Sequence, residues 1–247
     1  MDVKDRIVVV TGASSGIGRA TARAVAARGG RVALLARSED KLQEIAGEIS
    51  RHGGSARYYA VDLSDAEAVT RVAAAIRTDL GVPDILINNA GLGRWLYIKD
   101  TLPAEAMQMI ASPYLAAFYP TRAFLPAMLD RGSGHVACVT SVGSYMVWPG
   151  AGAYIAARFA LRGFTEALRA EVRGTGIGVT LVVLGKVASP YWAHNPGSEE
   201  HVPRALPVFM PTLSTEQAAT TILRGIERNM HRVIRPSIFR FLFLLSG

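Results

Sequence analysis

Cysteine is almost absent from this sequence: Cys138 is the only one among 247 residues. A single thiol excludes an internal disulfide, and such a composition is typical of a protein that works in a reducing compartment. Cys138 lies in the apolar run HVACVT, which favours a buried structural thiol over a nucleophile.

Long apolar stretches are also lacking. No segment approaches the roughly 20 consecutive apolar residues that span a bilayer. The first residues, MDVKDRIVVVTG, carry Asp2 and Asp5 and show neither the basic flank nor the long apolar core of a signal peptide. We therefore expect a soluble, cytoplasmic protein.

Blocks of like charge are missing as well. The formal net charge is +7, but most basic residues are scattered singly among acidic ones, as on a solvated surface. We expect neither a nucleic acid nor a metal as ligand. The exception is the C-terminal part, where residues 201–247 hold six arginines against two glutamates. Its apolar tail, about 236–247, could pack on the body, contact a membrane or a partner, or continue into a longer chain.

Short runs of Val, Ile and Leu alternate with longer segments of helical periodicity. The apolar runs cover residues 7–11, 32–36, 56–61, 84–88, 135–140 and 179–184, and the helical segments cover about 16–29, 39–51, 65–79, 103–131, 151–173 and 215–230. Continuous apolar strands indicate a sheet covered on both faces, and the alternation indicates right-handed βαβ units. We therefore predict an α/β fold, with one Rossmann-type doubly wound parallel sheet in a single domain over residues 1–247.

Residues 189–213 form the longest segment without clear periodicity. Long loops of compact domains are often lids over functional sites. Prolines and aromatic residues within this segment favour an ordered lid over a disordered linker.

A glycine-rich loop separates the first predicted strand from the first helix, in the sequence VVVTGASSGIGRA. Gly12, Gly16 and Gly18 permit a tight turn and a close approach of the backbone to a pyrophosphate at the helix N-terminus. An ordinary glycine-rich turn has the same composition, so the loop by itself leaves both interpretations open.

Further motifs follow in a specific order: NNAG at residues 88–91, then Ser141, and Tyr154 thirteen residues after Ser141. Together with the glycine loop they resemble the short-chain dehydrogenase/reductase family, from about residue 5 to residue 232. The resemblance implies a nicotinamide cofactor and a set of binding residues. These are Gly12, Ser14, Ser15, Gly16, Ile17, Gly18, Arg37, Ser38, Asp62, Leu63, Asn89, Ala90, Gly91, Tyr154, Arg158, Gly185, Val187 and Ser189.

The end of the second strand indicates which nicotinamide cofactor binds. An NAD enzyme has an acidic residue there that accepts a hydrogen bond from the ribose 2′-hydroxyl. Here the sequence is Ala36, Arg37 and Ser38. A guanidinium pairs well with a 2′-phosphate, so we expect NADP(H).

The resemblance also implies the chemistry. Ser141 would bind the substrate oxygen, and Tyr154 would exchange a proton with it while hydride moves to or from the cofactor. The family lysine four residues after the tyrosine is here Arg158. On a helix these two side chains share a face, so the guanidinium can stabilise the phenolate of Tyr154, but it cannot give up a proton in a relay.

Two further positions depart from the family pattern. The helix asparagine aligns with Pro113, and residues 90–194 contain no asparagine at all. Ser112 and Pro113 are typical of a helix start, so a kink is expected there although the asparagine side chain is gone. Leu184 replaces a proline before Gly185, whereas Val187 and Ser189 match the pattern for binding the carboxamide.

These departures leave two functions open. The first is an NADP(H)-dependent carbonyl reductase or alcohol dehydrogenase with catalytic residues Ser141, Tyr154 and Arg158. The alternative is a cofactor-binding protein with little catalysis that acts as a sensor or partner. We also expect a homodimer or homotetramer built on residues 114–131 and 151–173. A bulky apolar or aromatic substrate is indicated by loop residues Trp95, Tyr97, Met146, Val147, Trp148, Tyr191 and Trp192.

Overall fold

The computed structural model describes residues 1–202 and 211–239. In this part of the chain seven parallel strands form one sheet in the order β3-β2-β1-β4-β5-β6-β7. The strands are β1 Ile7–Thr11, β2 Arg31–Ala36, β3 Ser55–Ala60, β4 Ile85–Asn88, β5 Gly134–Ser141, β6 Ile177–Leu184 and β7 Arg232–Arg235. The predicted doubly wound parallel sheet is confirmed.

Helices connect consecutive strands and lie on both faces of the sheet. They are α1 Gly16–Ala27, α2 Glu39–Arg51, α3 Ala66–Asp79, α4 Pro103–Ile110, α5 Ala116–Arg131, α6 Gly152–Glu171, α7 Tyr191–His194 and α8 Thr215–Glu227. No helix among the residues that the structure describes is long and apolar enough to cross a membrane.

The core consists of two layers, one on each face of the sheet, and β1 shows how they arise. Val8 and Val10 pack on one face in a cluster with residues of α1, α2 and α8. Val9 points to the other face, in a cluster with residues of α3, α5 and α6. Because both faces of the strand are buried, the strand is apolar throughout instead of alternating.

The strand order reverses at β1, whose neighbours are β2 on one side and β4 on the other. In open α/β sheets the ligand lies in the crevice that this reversal leaves at the carboxyl ends of the strands. The glycine loop and the NNAG motif follow β1 and β4, so both lie at this crevice.

The structure corrects two sequence predictions. The edge strand β7 was not predicted, because only Val233 and Ile234 of its four residues are apolar and buried. The helix predicted over 103–131 is interrupted at Ser112, whose φ of −137° and ψ of 102° are not helical. The predicted kink is therefore present, but the regular helix resumes at Ala116, after a π-helical segment that contains the buried Pro113.

Two predicted segments extend past the described residues. Of the lid at 189–213, the described part holds α7 and a 3-10 helix, Ser198–His201, while residues 203–210 lie outside. Of the apolar tail from about 236, residues 240–247 lie outside the described part.

Candidate active site

A cleft of about 1030 Å³ opens at the carboxyl ends of the strands. Its wall contains nearly all of the residues that the sequence predicts to bind the cofactor or to take part in catalysis. Those in its wall are Gly12, Ser14, Ser15, Gly16, Ile17, Arg37, Ser38, Asp62, Leu63, Asn89, Ala90, Gly91, Ser141, Tyr154, Arg158, Gly185, Val187 and Ser189.

Gly18 is the exception, since it is absent from the wall of the cleft. A Cβ atom at this position would lie 2.1 Å from the carbonyl oxygen of Gly12. Gly18 therefore allows α1 to pack against the loop instead of contacting a ligand. Gly12 itself has a φ of +65°, and a Cβ there would lie 2.9 Å from the Ala90 Cα, so only glycine fits this close approach.

The N-terminus of α1 faces the cleft and is suited to an anion. The side chain of the N-cap residue Ser15 makes no capping hydrogen bond, and the first turn has no acidic residue. The first amide N–H groups of a helix have no partner within the helix, and the helix dipole favours negative charge there. The loop thus has the features of a phosphate-binding site.

Hydrogen bonds join the glycine loop to the NNAG motif. The hydroxyl of Thr11 accepts from the amides of Asn89 and Ala90 at 2.9 and 3.0 Å. The side-chain amide of Asn89 donates to the Thr11 carbonyl at 3.0 Å. These contacts hold the ends of β1 and β4 together below the cleft.

Positive charge lines the cleft beyond the end of β2. Arg37, Ser38 and Lys41 are in its wall, and the Ser38 hydroxyl makes no capping hydrogen bond to α2. Lys41 was not identified from the sequence, although it lies four residues after Arg37, in the first turn of α2. Across from this pair, hydrogen bonds from Ser64 hold the pKa of the Asp62 carboxyl below its usual value, with a smaller contribution from the charge of Arg37.

The side chains of Tyr154 and Arg158 share one face of α6, and both are buried. The guanidinium carbon of Arg158 lies 4.8 Å from the centroid of the Tyr154 ring. Its terminal nitrogens lie 3.1 Å from where a Cβ of Gly91 would be. The Arg158 head group is therefore enclosed between the tyrosine and the NNAG motif.

Arg158 has no carboxylate within ion-pair distance among the residues that the structure describes, and its Nε is buried without a hydrogen-bond partner. A buried and unpaired cation is costly in a folded protein. Its position in the wall of the cleft identifies it as a group that a ligand can satisfy.

Ser141 ends β5 next to Tyr154. Its hydroxyl oxygen accepts a hydrogen bond from the Gly143 amide at 3.3 Å, which leaves the hydroxyl hydrogen available to a ligand. A Cβ on Gly143 would lie 3.1 Å from both the Tyr154 ring and the Trp148 ring. The glycine therefore allows these three side chains to meet at one point of the cleft.

Aromatic side chains form the wall above Tyr154. Trp95 packs at a ring-centroid distance of 5.3 Å from Tyr154, 5.0 Å from Trp148 and 5.3 Å from Trp192. Tyr191 lies 6.4 Å from Tyr154 on another side. Burial raises the pKa of the Tyr191 hydroxyl, so this phenol is neutral at physiological pH.

Three other residues predicted for this wall do not line the cleft. Val147 and Tyr97 are exposed over 76% and 48% of their surface and face outward. Met146 packs against the core cluster beneath α5 and α6.

Hydrogen bonds tie the described part of the lid to the loop after β4, and two of the lid residues that make them, Asn195 and Ser198, were not identified from the sequence. Asn195 accepts from the Gly93 amide at 3.3 Å, and the Ser198 hydroxyl accepts from the Trp95 amide at 2.8 Å. The hydroxyl of Tyr191 accepts from the Trp95 indole at 3.0 Å and donates to the Gly93 carbonyl. These partners are distant in sequence, and no local motif pairs them.

Val187 lies where the resemblance expects backbone contacts to a carboxamide. It pairs with Leu213 in an isolated parallel bridge that uses the carbonyl of Lys186 and the amide of Ala188. Within the described residues no hydrogen bond uses the Val187 amide or carbonyl. Both groups are therefore available to a ligand in the cleft.

Comparison with known proteins identifies the family of this fold and site. Residues 6–199 match the short chain dehydrogenase family. An uncharacterized oxidoreductase of Mycobacterium tuberculosis is 36% identical over 239 residues, which are 95% of this chain and 67% of that protein. A fatty acyl-CoA reductase of Acinetobacter baylyi is 30% identical over 234 residues, which are 94% of this chain and 76% of that protein.

A solved structure agrees with these sequence relatives. The alcohol dehydrogenase from Thermococcus sibiricus, complexed with 5-hydroxy-NADP, has a TM-score of 0.82 and 27% identity, and the match covers 95% of this chain and 97% of that chain. From the family match, these similarities and the sheet order, we conclude that the chain belongs to the short-chain dehydrogenase family of oxidoreductases.

Proposed function

We propose that this protein is an NADP(H)-dependent oxidoreductase that interconverts a bulky apolar or aromatic carbonyl compound and its alcohol. The observation that carries the proposal is the buried guanidinium of Arg158 over the ring of Tyr154, in the wall of the cleft, with no carboxylate in ion-pair distance and no partner for its Nε among the described residues. A protein that needed only to fold would gain nothing from such a group, because burying an unpaired cation is destabilising.

The residues of the cleft fit a nicotinamide dinucleotide. The uncapped N-terminus of α1 suits the pyrophosphate, and the unpaired Nε of Arg158 marks a buried donor that lacks an acceptor. The open backbone groups of Val187 suit a carboxamide. In this proposal the phosphates lie against the glycine loop and the ribose beside Arg158.

The preference for NADP(H) rests on charge at the end of β2. Ala36 occupies the position at which an acidic residue would bind the ribose 2′-hydroxyl of NAD, and Arg37 and Lys41 add two positive charges to the same part of the cleft. A 2′-phosphate carries the complementary charge. The solved relative from Thermococcus sibiricus, whose complex contains 5-hydroxy-NADP, supports the same choice.

The proposed reduction adds a hydride and a proton to the carbonyl group. A nicotinamide cofactor, when bound, would supply the hydride that the carbonyl carbon accepts. Ser141 donates a hydrogen bond to the carbonyl oxygen, and Tyr154 gives that oxygen its phenolic proton, so that an alcohol and a phenolate result. The positive charge of Arg158 stabilises the phenolate, and solvent returns the proton. Oxidation of an alcohol follows the same steps in reverse.

The proposed substrate class is supported by the wall above Tyr154, where the Trp95 ring packs 5.0 Å from that of Trp148 and 5.3 Å from that of Trp192. Large aromatic surfaces bind apolar groups by removing them from water. The relative from Acinetobacter baylyi is named for a fatty acyl substrate, which supports an apolar carbonyl compound in this part of the family.

We also propose that the protein is a homodimer or homotetramer. Tyr114, Phe118 and Phe164 form an aromatic cluster on neighbouring faces of the π-helical segment, α5 and α6, with ring centroids 5.7 to 6.1 Å apart. Phe159, one turn away on α6, is 40% exposed. Such a surface suits a contact between copies. Light scattering at micromolar concentration should show a dimer or tetramer, and a monomer would contradict this part of the proposal.

The proposed activity is tested by following NADPH absorbance with a panel of aryl and alkyl ketones. Turnover should be measurable, and Tyr154→Phe should lower kcat by about 100-fold or more while NADPH still binds, because the variant lacks only the proton donor. If wild type binds NADPH but shows no turnover that depends on Tyr154, a role in cofactor binding without catalysis replaces this proposal.

A further inference from the structure

A second depression adjoins the main cleft behind Trp148, and we refer to it as the outer groove. It has a volume of about 370 Å³ and is lined by Tyr97, Ile98, Lys99, Trp148, Pro149, Gly150 and Gly152. Trp148 also lines the main cleft, so the two spaces share this one side chain as a wall.

The outer groove is close to Tyr154, the proposed proton donor, both along the chain and in space. Its floor includes Gly152, in the first turn of α6 and two residues before Tyr154. A Cβ on Gly152 would lie 2.9 Å from Ile98, so Ile98 packs directly on the helix start. Gly152 adds no side chain and is partly exposed, whereas Gly150 is buried and a Cβ there would lie 2.4 Å from the His201 ring.

Large apolar side chains at this groove are in contact with water. Ile98 is 80% exposed and Tyr97 is 48% exposed, and both line the groove. Single exposed apolar residues are common, but a group of them beside the mouth of a cleft indicates a binding surface.

A continuous aromatic path joins this surface to the catalytic tyrosine. The ring of Trp148 is 5.0 Å from that of Trp95, which is 5.3 Å from that of Tyr154. The Trp148 indole nitrogen is buried and has no hydrogen-bond partner among the residues that the structure describes. The buried rings of Tyr154 and Trp95 therefore pack in series with Trp148, the side chain that separates the reaction centre from the outer groove.

We infer that the outer groove binds the tail of the substrate, and that the substrate is a carbonyl compound or alcohol with a long unbranched hydrocarbon chain. This inference rests on the proposed function, and it specifies the apolar substrate further. A methylene chain is narrow enough to pass the edge of an indole, and its burial over Ile98 and Tyr97 removes apolar surface of both partners from water.

The first test measures binding without turnover. Straight-chain 1-alkanols of about four to ten carbons, below their solubility limits, are titrated into the protein with NADPH, with which an alcohol cannot react, while tryptophan fluorescence is followed. Each methylene that enters the groove should lower Kd by up to about fourfold, the effect expected for one buried CH2 group. The series should level off once the groove is filled.

Matched variants assign the effect to the groove. Ile98→Ser should flatten the dependence of Kd on chain length for the longer alkanols, and Ile98→Leu should retain it. Leu129→Ser is the control, because Leu129 is also exposed, at 38%, but lies near the end of α5 that leads into the amino end of β5. The control should behave as wild type.

The outcomes separate the two proposals. Turnover of short ketones with Kd independent of chain length would overturn the outer groove and leave the proposed function standing. Chain-length-dependent binding that Ile98→Ser abolishes, without turnover of any carbonyl compound, would support the groove and reject the oxidoreductase. If Ile98→Ser changes the mass in light scattering but leaves the chain-length dependence intact, the surface is a contact between copies, and the inference is wrong.

Discussion

The guanidinium of Arg158 lies over the ring of Tyr154, with its central carbon 4.8 Å from the ring centroid. Both side chains are more than nine-tenths buried. Two opposite unit charges about 5 Å apart, at an effective dielectric constant near 20, attract each other by about 3 kcal/mol. That energy corresponds to roughly a hundredfold change in an equilibrium or a rate. Arg158 can therefore supply the electrostatic part of the role that a lysine has in the family pattern.

The cofactor preference is expected to reverse in Arg37→Asp. The variant removes a partner for the 2′-phosphate and adds a carboxylate that repels it, while the same carboxylate can accept a hydrogen bond from the 2′-hydroxyl of NAD+. We expect the ratio of the NAD+ and NADP+ dissociation constants to shift by at least about tenfold toward NAD+, the effect of one charge-assisted hydrogen bond. Isothermal titration with each cofactor measures this ratio.

Arg51→Asp is the matched control for that experiment, since it makes the same charge change at the far end of α2. Its cofactor preference should equal that of wild type. A wild-type protein that binds NAD+ more tightly than NADP+ would remove the basis of the NADP(H) proposal.

The hydroxyl of Tyr191 joins the lid to the loop after β4 through Trp95 and Gly93. Tyr191→Phe leaves a buried indole N–H and a buried carbonyl without this partner, so the free energy of unfolding should fall by about 1 to 3 kcal/mol. Urea titration measures the loss. Tyr97→Phe is the control, because the Tyr97 hydroxyl has no hydrogen bond within the described residues, and its stability should be unchanged. Equal stability of wild type and Tyr191→Phe would show that this contact does not hold the lid.

His135 gives the fold a specific sensitivity to acid. Burial, with a smaller contribution from the positive N-terminus, lowers the pKa of its imidazole to about 4. Its ring hydrogen-bonds at 2.9 Å to Thr180, whose hydroxyl donates to the Met230 carbonyl. The unfolded chain therefore takes up a proton near pH 6.5, where the folded chain does not, so stability is lost as the pH falls from about 6.5 toward 4.

The size of this effect follows from the two pKa values. Between pH 7 and pH 4.5 the histidine should account for about 2 kcal/mol of lost unfolding free energy. His135→Gln keeps a donor for Thr180 but does not titrate, so its stability should fall less than that of wild type over this range. His52→Gln, at an exposed position, serves as the control and should follow wild type. Parallel curves for wild type and His135→Gln would contradict the assignment.

The sequence predicted those parts of the fold that depend on a run of apolar residues or on interactions between neighbouring residues. Strands buried on both faces, such as β1 and β5, appear as continuous apolar runs, whereas the edge strand β7 has two exposed arginines and only two apolar residues. The kink at Ser112 was predictable because a proline disfavours helical backbone angles at the residue before it, and Pro113 follows Ser112.

The candidate site shows the same division. The glycine loop, Ser141 and Tyr154 were found because they stand at ordered positions along the chain. The contacts of Asn195 with Gly93 and of Ser198 with Trp95 join residues about a hundred positions apart, so only the folded structure brings them together. The sequence also could not predict that the Arg158 head group points toward Gly91 and lies over the Tyr154 ring.

Substitution of Arg158 should affect stability and activity in opposite senses. Because the guanidinium is buried and has no carboxylate partner in the described part of the chain, Arg158→Met should leave the free energy of unfolding of the ligand-free protein equal to or higher than that of wild type. Urea unfolding measures this. A stable variant would show that any loss of activity comes from the missing charge and not from misfolding.

The most direct test of the account is the pH dependence of alcohol oxidation by NADP+ in wild type, Arg158→Lys and Arg158→Met. Wild-type kcat should rise once with pH and then stay level until the fold fails, because arginine keeps its charge above about pH 12. Arg158→Lys should retain activity but decline at high pH as its ammonium loses a proton near pH 10.4. Arg158→Met should lose about a hundredfold in kcat at neutral pH. If Arg158→Met has the rate and pH profile of wild type, the guanidinium does not act on Tyr154, and the central claim is wrong.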